Sequence, residues 1–266
     1  MLRVWRIYKA YIRINWLVNL EYRINALLGL VGVTTLNLVD IALIGFVLSR
    51  FETIAGWSFW EIVFLTFFYI IVLGLENIFA VHLLDLEEHI RSGTFDRFLL
   101  RPVSPLLQLL GQELTVRYVD HLILGSIGIY LAYVNLGLHW SWSQWIMFLV
   151  ALFSSVVLLG ALVLALCSLA FWTVRSSPFV FSTIEIQEAV QHYPITIFGR
   201  PFVFAVTFVL PFAFMNYYPA LVLLGRQSEA IHPFLPYASP LAAVIFSLIA
   251  FAIWRMGINR YESTGT

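Results

Sequence analysis

The chain has 266 residues, 61% hydrophobic and 11% charged, with fifteen lysines and arginines balanced by fifteen acids. A mean hydropathy of +0.89 is more than a soluble domain of this length carries, and the absence of a basic excess argues against a nucleic-acid partner. The single cysteine, Cys167, lies inside an apolar run, which excludes a disulfide framework and a cysteine-based metal site.

Residues 1–22 predict an amphipathic helix. Arg3, Arg6, Lys9 and Arg13 share one face at helical spacing, and Val4, Trp5, Tyr8, Tyr11 and Ile12 share the other. A basic, aromatic helix ahead of an apolar run suits the membrane interface. Cations scattered through residues 1–23, rather than grouped before an apolar block, argue against a cleavable signal peptide.

Apolar stretches long enough to span a bilayer follow at 24–48, 58–81, 116–136, 145–172, 197–218 and 238–257. Six spans leave no room for a large soluble domain, so the prediction is one all-α membrane domain over residues 1–266. Thr34, Asn37 and Asp40 give the first span a polar face. Glu76 and Asn77 sit towards the end of the second, and Arg117 and Asp120 open the third, so a Glu76–Arg117 pair is expected. Intramembrane charge either lines a gate or fixes packing.

The connection 82–113 holds EEHIRSGTFDRFLLRPVSP (87–105), an unusual concentration of charge. Asp96 falls in the first turn of a short helix starting near Thr94, and Arg101 sits at its end, both favourable for the helix dipole. Pro102 stops that helix, and Ser104 with Pro105 starts another. Phe95 and Leu99, four residues apart, would share a face available to a partner.

The uncharged loop GLHWSWSQW (137–145) reads as an interfacial aromatic belt. In the connection 173–196, Ser182 and Glu185 form a capping box, predicting a helix of about ten residues that ends before Pro194. Glu188, Gln191 and His192 would form its polar face. Phe204, Phe208 and Phe212 recur every fourth residue along the fifth span, which Pro201 and Pro211 can bend. Residues 219–237 contain PALVLLG, apolar but too short to cross, and predict an external re-entrant segment.

With the N-terminus inside, thirteen of the fifteen cations, Arg175 and Arg200 among them, fall on the cytoplasmic side and only Arg50 and Arg226 outside. That bias places both termini in the cytoplasm. ATP hydrolysis is excluded within the chain, because its only lysine, Lys9, has no glycine-rich loop beside it. His82, Asp85 and His89 have the spacing of metal ligands on one helix, but two histidines and an aspartate at a boundary arise easily, and no metal is expected. No nucleophile motif accompanies the histidines, so no catalytic residue is assigned.

Three features together resemble the ABC-2 type permeases, membrane subunits of ATP-driven exporters: EEHIRSGTFDRFLLRPVSPL, HYPITIFGRPFVFAVTFVLPFAFMNYYPALVLLGR (192–226), and the order of basic start, six spans and a re-entrant segment before the last. The resemblance covers nearly the whole chain. It implies a coupling helix near 90–101, with Arg91, Phe95, Asp96, Phe98, Leu99 and Arg101 meeting a nucleotide-binding subunit. It also implies two ATPase subunits that bind ATP and Mg, a second permease, identical or related, and a bacterial cytoplasmic membrane. Scarce intramembrane charge and the Phe204, Phe208, Phe212 stripe point to a hydrophobic or amphipathic substrate. An ion-coupled secondary transporter would want inverted repeats, which are not evident, and an intramembrane enzyme ranks third.

Overall fold

The computed structural model describes residues 53–112 and 118–262, together with isolated positions between 24 and 50. The interfacial helix expected over 1–22 lies outside them, as does most of the first expected span.

The described chain opens with a two-stranded hairpin, β1 (Thr53–Ile54) and β2 (Trp57–Ser58), joined by Ala55 and Gly56. Both turn residues have positive φ, 52° and 78°, the geometry that matches the twist of a two-residue hairpin. This hairpin is the exception to the expected all-α fold. Ser58 and Glu61 form a capping box that starts α1 (Phe59–Ala80). A tight 3-10 turn over Val81–Asp85 leads into α2 (Leu86–Arg91), and then come the short helices α3 (Asp96–Leu99) and α4 (Pro105–Leu110).

Next are α5 (Val119–Asn135) and α6 (Trp142–Ser168), with a capping box of Ser141 and Gln144 at the start of α6. After these run α7 (Ala170–Thr173), α8 (Ser177–Gln191), α9 (Arg200–Phe208), α10 (Tyr217–Leu223) and α11 (Ser239–Arg260).

Among the described residues, three helical stretches are long and apolar enough to cross a membrane: Phe59–Arg91, Trp142–Thr173 and Ser239–Arg260. They match the second, fourth and sixth expected spans. The third is a shorter apolar helix of 17 residues, α5. The fifth is not a continuous helix, because Arg200–Phe208 and Phe212–Leu223 meet at a 75° bend. Pro211 lies in that break, where its ring and missing N–H prevent the helix from continuing.

Helices α1 and α5 run antiparallel and pack through glycine. A Cβ built on Gly128 would lie 2.0 Å from the Phe67 ring, one on Gly125 2.3 Å from Ile71, and one on Gly74 2.5 Å from His121. Small residues here let the two backbones approach as membrane helices do. Helix α11 packs along α6, with Gly257 against the Phe171 ring.

The bundle therefore has two ends, a hairpin end with residues 53–61 and a loop end with residues 86–101. The segment 173–196 does not stay at one of them. Glu87, at the loop end, accepts from the backbone N–H of Ser176 at 2.8 Å and of Ser177 at 2.7 Å. Further on, Asn216 donates to the carbonyl of Gln191 at 2.7 Å and to that of Leu65 at 3.4 Å, and Leu65 is one and a half turns into α1.

So α8 rises alongside α1 instead of lying across the loop end. It also starts five residues earlier than the Ser182 capping box suggested. A carboxylate from another helix caps it, with Pro178 in its first turn. Arg200 lines the same pocket as Glu229 and Ile231. It consequently sits at the hairpin end with Arg226, not on the opposite side as the charge count had it.

Candidate functional site

The charged loop is a compact structure rooted in the bundle. Gln108 donates to the carbonyls of Phe98 and Val103, both at 2.8 Å, closing the turn from α3 into α4. His89 is engaged with Thr94 and with Gln112, each at 2.9 Å, and His82 pairs with Asp85 at 2.8 Å. Of the three residues with the possible metal spacing, His82 and Asp85 therefore face each other while His89 turns to other partners, and no three possible ligands gather among the described residues.

Phe95 is fully buried. Its ring meets Phe98, Phe171, Trp254 and Tyr261 at centroid distances of 5.8, 5.3, 6.3 and 5.0 Å. Burial, with the neighbouring Asp96 carboxylate adding to it, pushes Tyr261 up to about 12. The expected exposed face of Phe95 and Leu99 is thus corrected: Phe95 and Phe98 point inward, since an aromatic ring beside an apolar bundle gains more by burial than in water. Leu99 and Leu100 are exposed, Leu100 by 85%. Around them Arg91, Arg97 and Arg101 face solvent, with Arg91 paired to Glu88.

A second cluster lies within the bundle. A cavity of about 290 Å³ opens between α1, α5, α6 and α8, with Tyr69, Glu76, Asn77, His121, Gln187 and Glu188 on its wall. Glu76 is 5% exposed, and its Oε1 has no hydrogen-bond partner among the described residues. An uncompensated buried carboxylate is costly, so this one stands out. Asn77 donates to the Leu73 carbonyl of its own helix at 2.9 Å. Asp120 accepts from Thr34 at 3.3 Å and pairs with His121 at 2.9 Å, which places Thr34 beside α5.

The structure therefore gathers Glu76 and Asn77 at one cavity, with Asp120 adjoining through His121. Asn37, Asp40 and Arg117, including the expected Glu76–Arg117 pair, lie outside the described residues. Tyr69, His121 and Gln187 were not singled out. Tyr69, Leu73, Glu76 and Ala80 recur at three and four residues and so share a face of α1, a periodicity that could have found Tyr69.

The break in the fifth apolar segment is internally satisfied. Gln191 donates to the Phe212 carbonyl at 3.2 Å, Ser239 to the Phe214 carbonyl at 2.9 Å, and Gln187 to the Met215 sulfur at 3.5 Å. Unwound backbone at membrane depth is tolerated only when covered in this way. Of the expected polar face on α8, Gln191 is thus spent on the break, while Glu188 is exposed beside the cavity and His192 lies against the Tyr69 ring. The aromatic stripe is interrupted as well. Phe204 and Phe208 are exposed and in contact, with centroids 4.9 Å apart, whereas Phe212 lies past the bend and is fully buried.

At the hairpin end Arg226 donates to Glu61 at 2.8 Å, to Glu229 at 2.6 Å and to the Gly56 carbonyl at 3.0 Å. Burial alone would lower the pKa of Arg226, but the bonds to Glu61 and Glu229 outweigh it and raise it. Trp140 of the aromatic loop is buried and donates to the Leu223 carbonyl at 3.1 Å. It locks α10 to that end, while Trp142, 86% exposed, keeps the position of a belt residue.

Long apolar helices around a buried polar cavity, with a charged loop rooted at one end, define a multi-pass helical membrane protein. The model of the family described as "ABC-2 family transporter protein" matches residues 33–265, and the chain belongs to that family. Its role is accordingly that of a membrane component in transport. Comparison with curated proteins and with solved structures gave no match.

Proposed function

We propose that this chain is the permease subunit of an ATP-driven exporter in a bacterial cytoplasmic membrane. It forms half of a translocation pathway and moves a hydrophobic or amphipathic substrate. ATP and Mg bind to two partner ATPase subunits, and a second permease, identical or related, completes the pathway. The observation that carries the reading is the loop: Leu99 and Leu100 stand exposed among Arg91, Arg97 and Arg101, on a helix whose Phe95 is rooted against α7 and α11. An apolar tip ringed by cations suits a soluble partner's groove, and a rooted base passes movement of that partner to the spans.

In this reading the loop end is cytoplasmic. Helix α8 supplies the fifth crossing, and the bent pair α9–α10 enters and leaves from the outer side. Thr196 beside the Tyr217 hydroxyl, Trp140 on Leu223 and Arg226 on Glu61 all support that path.

The test is co-purification of ATPase activity with the chain from native membranes. Leu100→Asp is expected to leave the chain folded and inserted while ATPase recovery falls by about tenfold or more, the loss of one interface anchor. Undiminished recovery with Leu100→Asp and with Leu99→Asp would remove the coupling role.

A further inference from the structure

Glu76 lines more than the polar cavity. On its other side a groove of about 630 Å³ runs between α1, α4, α6 and α11, within the range of about 300–1,000 Å³ usual for small-molecule sites. Its wall is made of Phe79, Leu107, Val157, Leu164 and Phe251, with Gly160 in its floor. Among the described residues Glu76 and Ser247 are the only polar side chains on it. The carboxylate therefore sits where an apolar groove meets a polar cavity, with one buried oxygen unbonded among the described residues.

Gly160 adds an independent observation. A Cβ built there meets nothing within 4 Å, although glycine is the least favourable residue but proline inside a helix. The space it leaves is open groove.

We propose that this junction is a binding site for an amphipathic monocation, an alkylammonium-type molecule whose chain lies in the groove and whose cationic head meets Glu76. The pairing supplies the hydrogen bond and charge that Glu76 lacks among the described residues, and the apolar wall gives the chain packing contacts. A neutral chain would leave the carboxylate uncompensated, and an anionic head would be repelled by it. The proposal deepens the export reading, on which it rests, by naming the substrate class.

The experiment uses the full chain in lipid nanodiscs. Dodecylammonium is the probe and dodecanol its neutral counterpart, and the unfolding temperature is followed as each is titrated. Dodecylammonium is expected to raise the unfolding temperature of the wild type and dodecanol to leave it nearly unchanged. Glu76→Gln keeps the shape of the side chain and should weaken the ammonium response by at least about tenfold, the loss of one charge-assisted bond.

Gly160→Leu should weaken the response to a similar degree by filling the groove, with a ligand-free unfolding temperature no lower than that of the wild type. An equal response to dodecanol, or an undiminished ammonium response in either variant, overturns the site. Proteoliposomes containing the co-purified ATPase separate the two readings. Binding with these signatures but no ATP-dependent movement of the probe keeps the site and removes export. ATP-dependent movement that Glu76→Gln leaves intact removes the site and keeps export.

Discussion

The seam between α1 and α5 and the groove between α1, α6 and α11 use the same residue to opposite ends. In the seam, Gly125 and Gly128 are filled by Ile71 and Phe67 so closely that no Cβ would fit. In the groove, Gly160 faces open space. The seam glycines let two helices touch, while Gly160 leaves the space beside its helix unfilled. The same division applies to acids on the helical stretch Phe59–Arg91. Glu61 and Glu87, at its two ends, bind Arg226 and the start of α8. Glu76, between them, has no partner on Oε1 among the described residues. Filled positions build the bundle, and the unfilled ones adjoin each other at the candidate site.

The strongest way to break the seam is Gly128→Val. Its branched side chain would overlap the Phe67 ring, and overpacking of this kind costs about 1–3 kcal/mol or more. With the adjacent Gly125→Val the two helices should separate, seen as loss of a monodisperse, thermally folded protein in detergent.

Phe95→Ala removes a buried ring from four aromatic partners and should cost about 3–5 kcal/mol. The expected result is a marked fall in unfolding temperature and proteolysis near residues 91–101. A wild-type unfolding temperature would mean that the loop is not rooted as described. Glu87→Ala leaves the N–H groups of Ser176 and Ser177 without their acceptor and should cost about 1–2 kcal/mol. Faster amide exchange should then be confined to the first turns of α8.

The smallest effect sharpens the contrast from the other side. Gly160→Ala should stabilise the chain by about 0.5–1 kcal/mol, because alanine is the better helix residue and nothing opposes its methyl. A destabilised Gly160→Ala would mean that the groove is not open.

The apolar runs at 58–81, 145–172 and 238–257 were legible because the chain there is continuously hydrophobic, and length alone separates such a run from a core helix. The turn around Pro102, Ser104 and Pro105 was legible because those residues act on their own backbone. What hydropathy missed is α8. Its Glu188, Gln191 and His192 read as a polar face, yet Gln191, with Gln187 beside it, serves the unwound backbone and sulfur of a segment some twenty-five residues later. Its start is set by a carboxylate ninety positions earlier in the sequence. Local motifs cannot report such partners. Phe95 misled for the same reason, since helical spacing gives a face but not which side of the loop the bundle occupies. For the site, the sequence marked Glu76 and Asn77 as costly where they stand, but not the groove behind them, whose walls come from four separate elements.

The bond from Glu87 to the start of α8 also has a consequence in time. Ninety residues separate Glu87 from Ser177, which at about 5–20 residues per second amounts to roughly 5–18 s of synthesis. Throughout that interval the carboxylate waits at the end of a finished helix with water as its only solvation. Helix α8 gains its cap only when its first residues reach the Glu87 end of that helix. Assembly therefore has an order. The Glu87 end of the first helical stretch must be in place before the start of α8 can be capped, and a carboxyl-reactive label should modify Glu87 faster in chains arrested before residue 176 than in full-length chains, where it is engaged by Ser176 and Ser177.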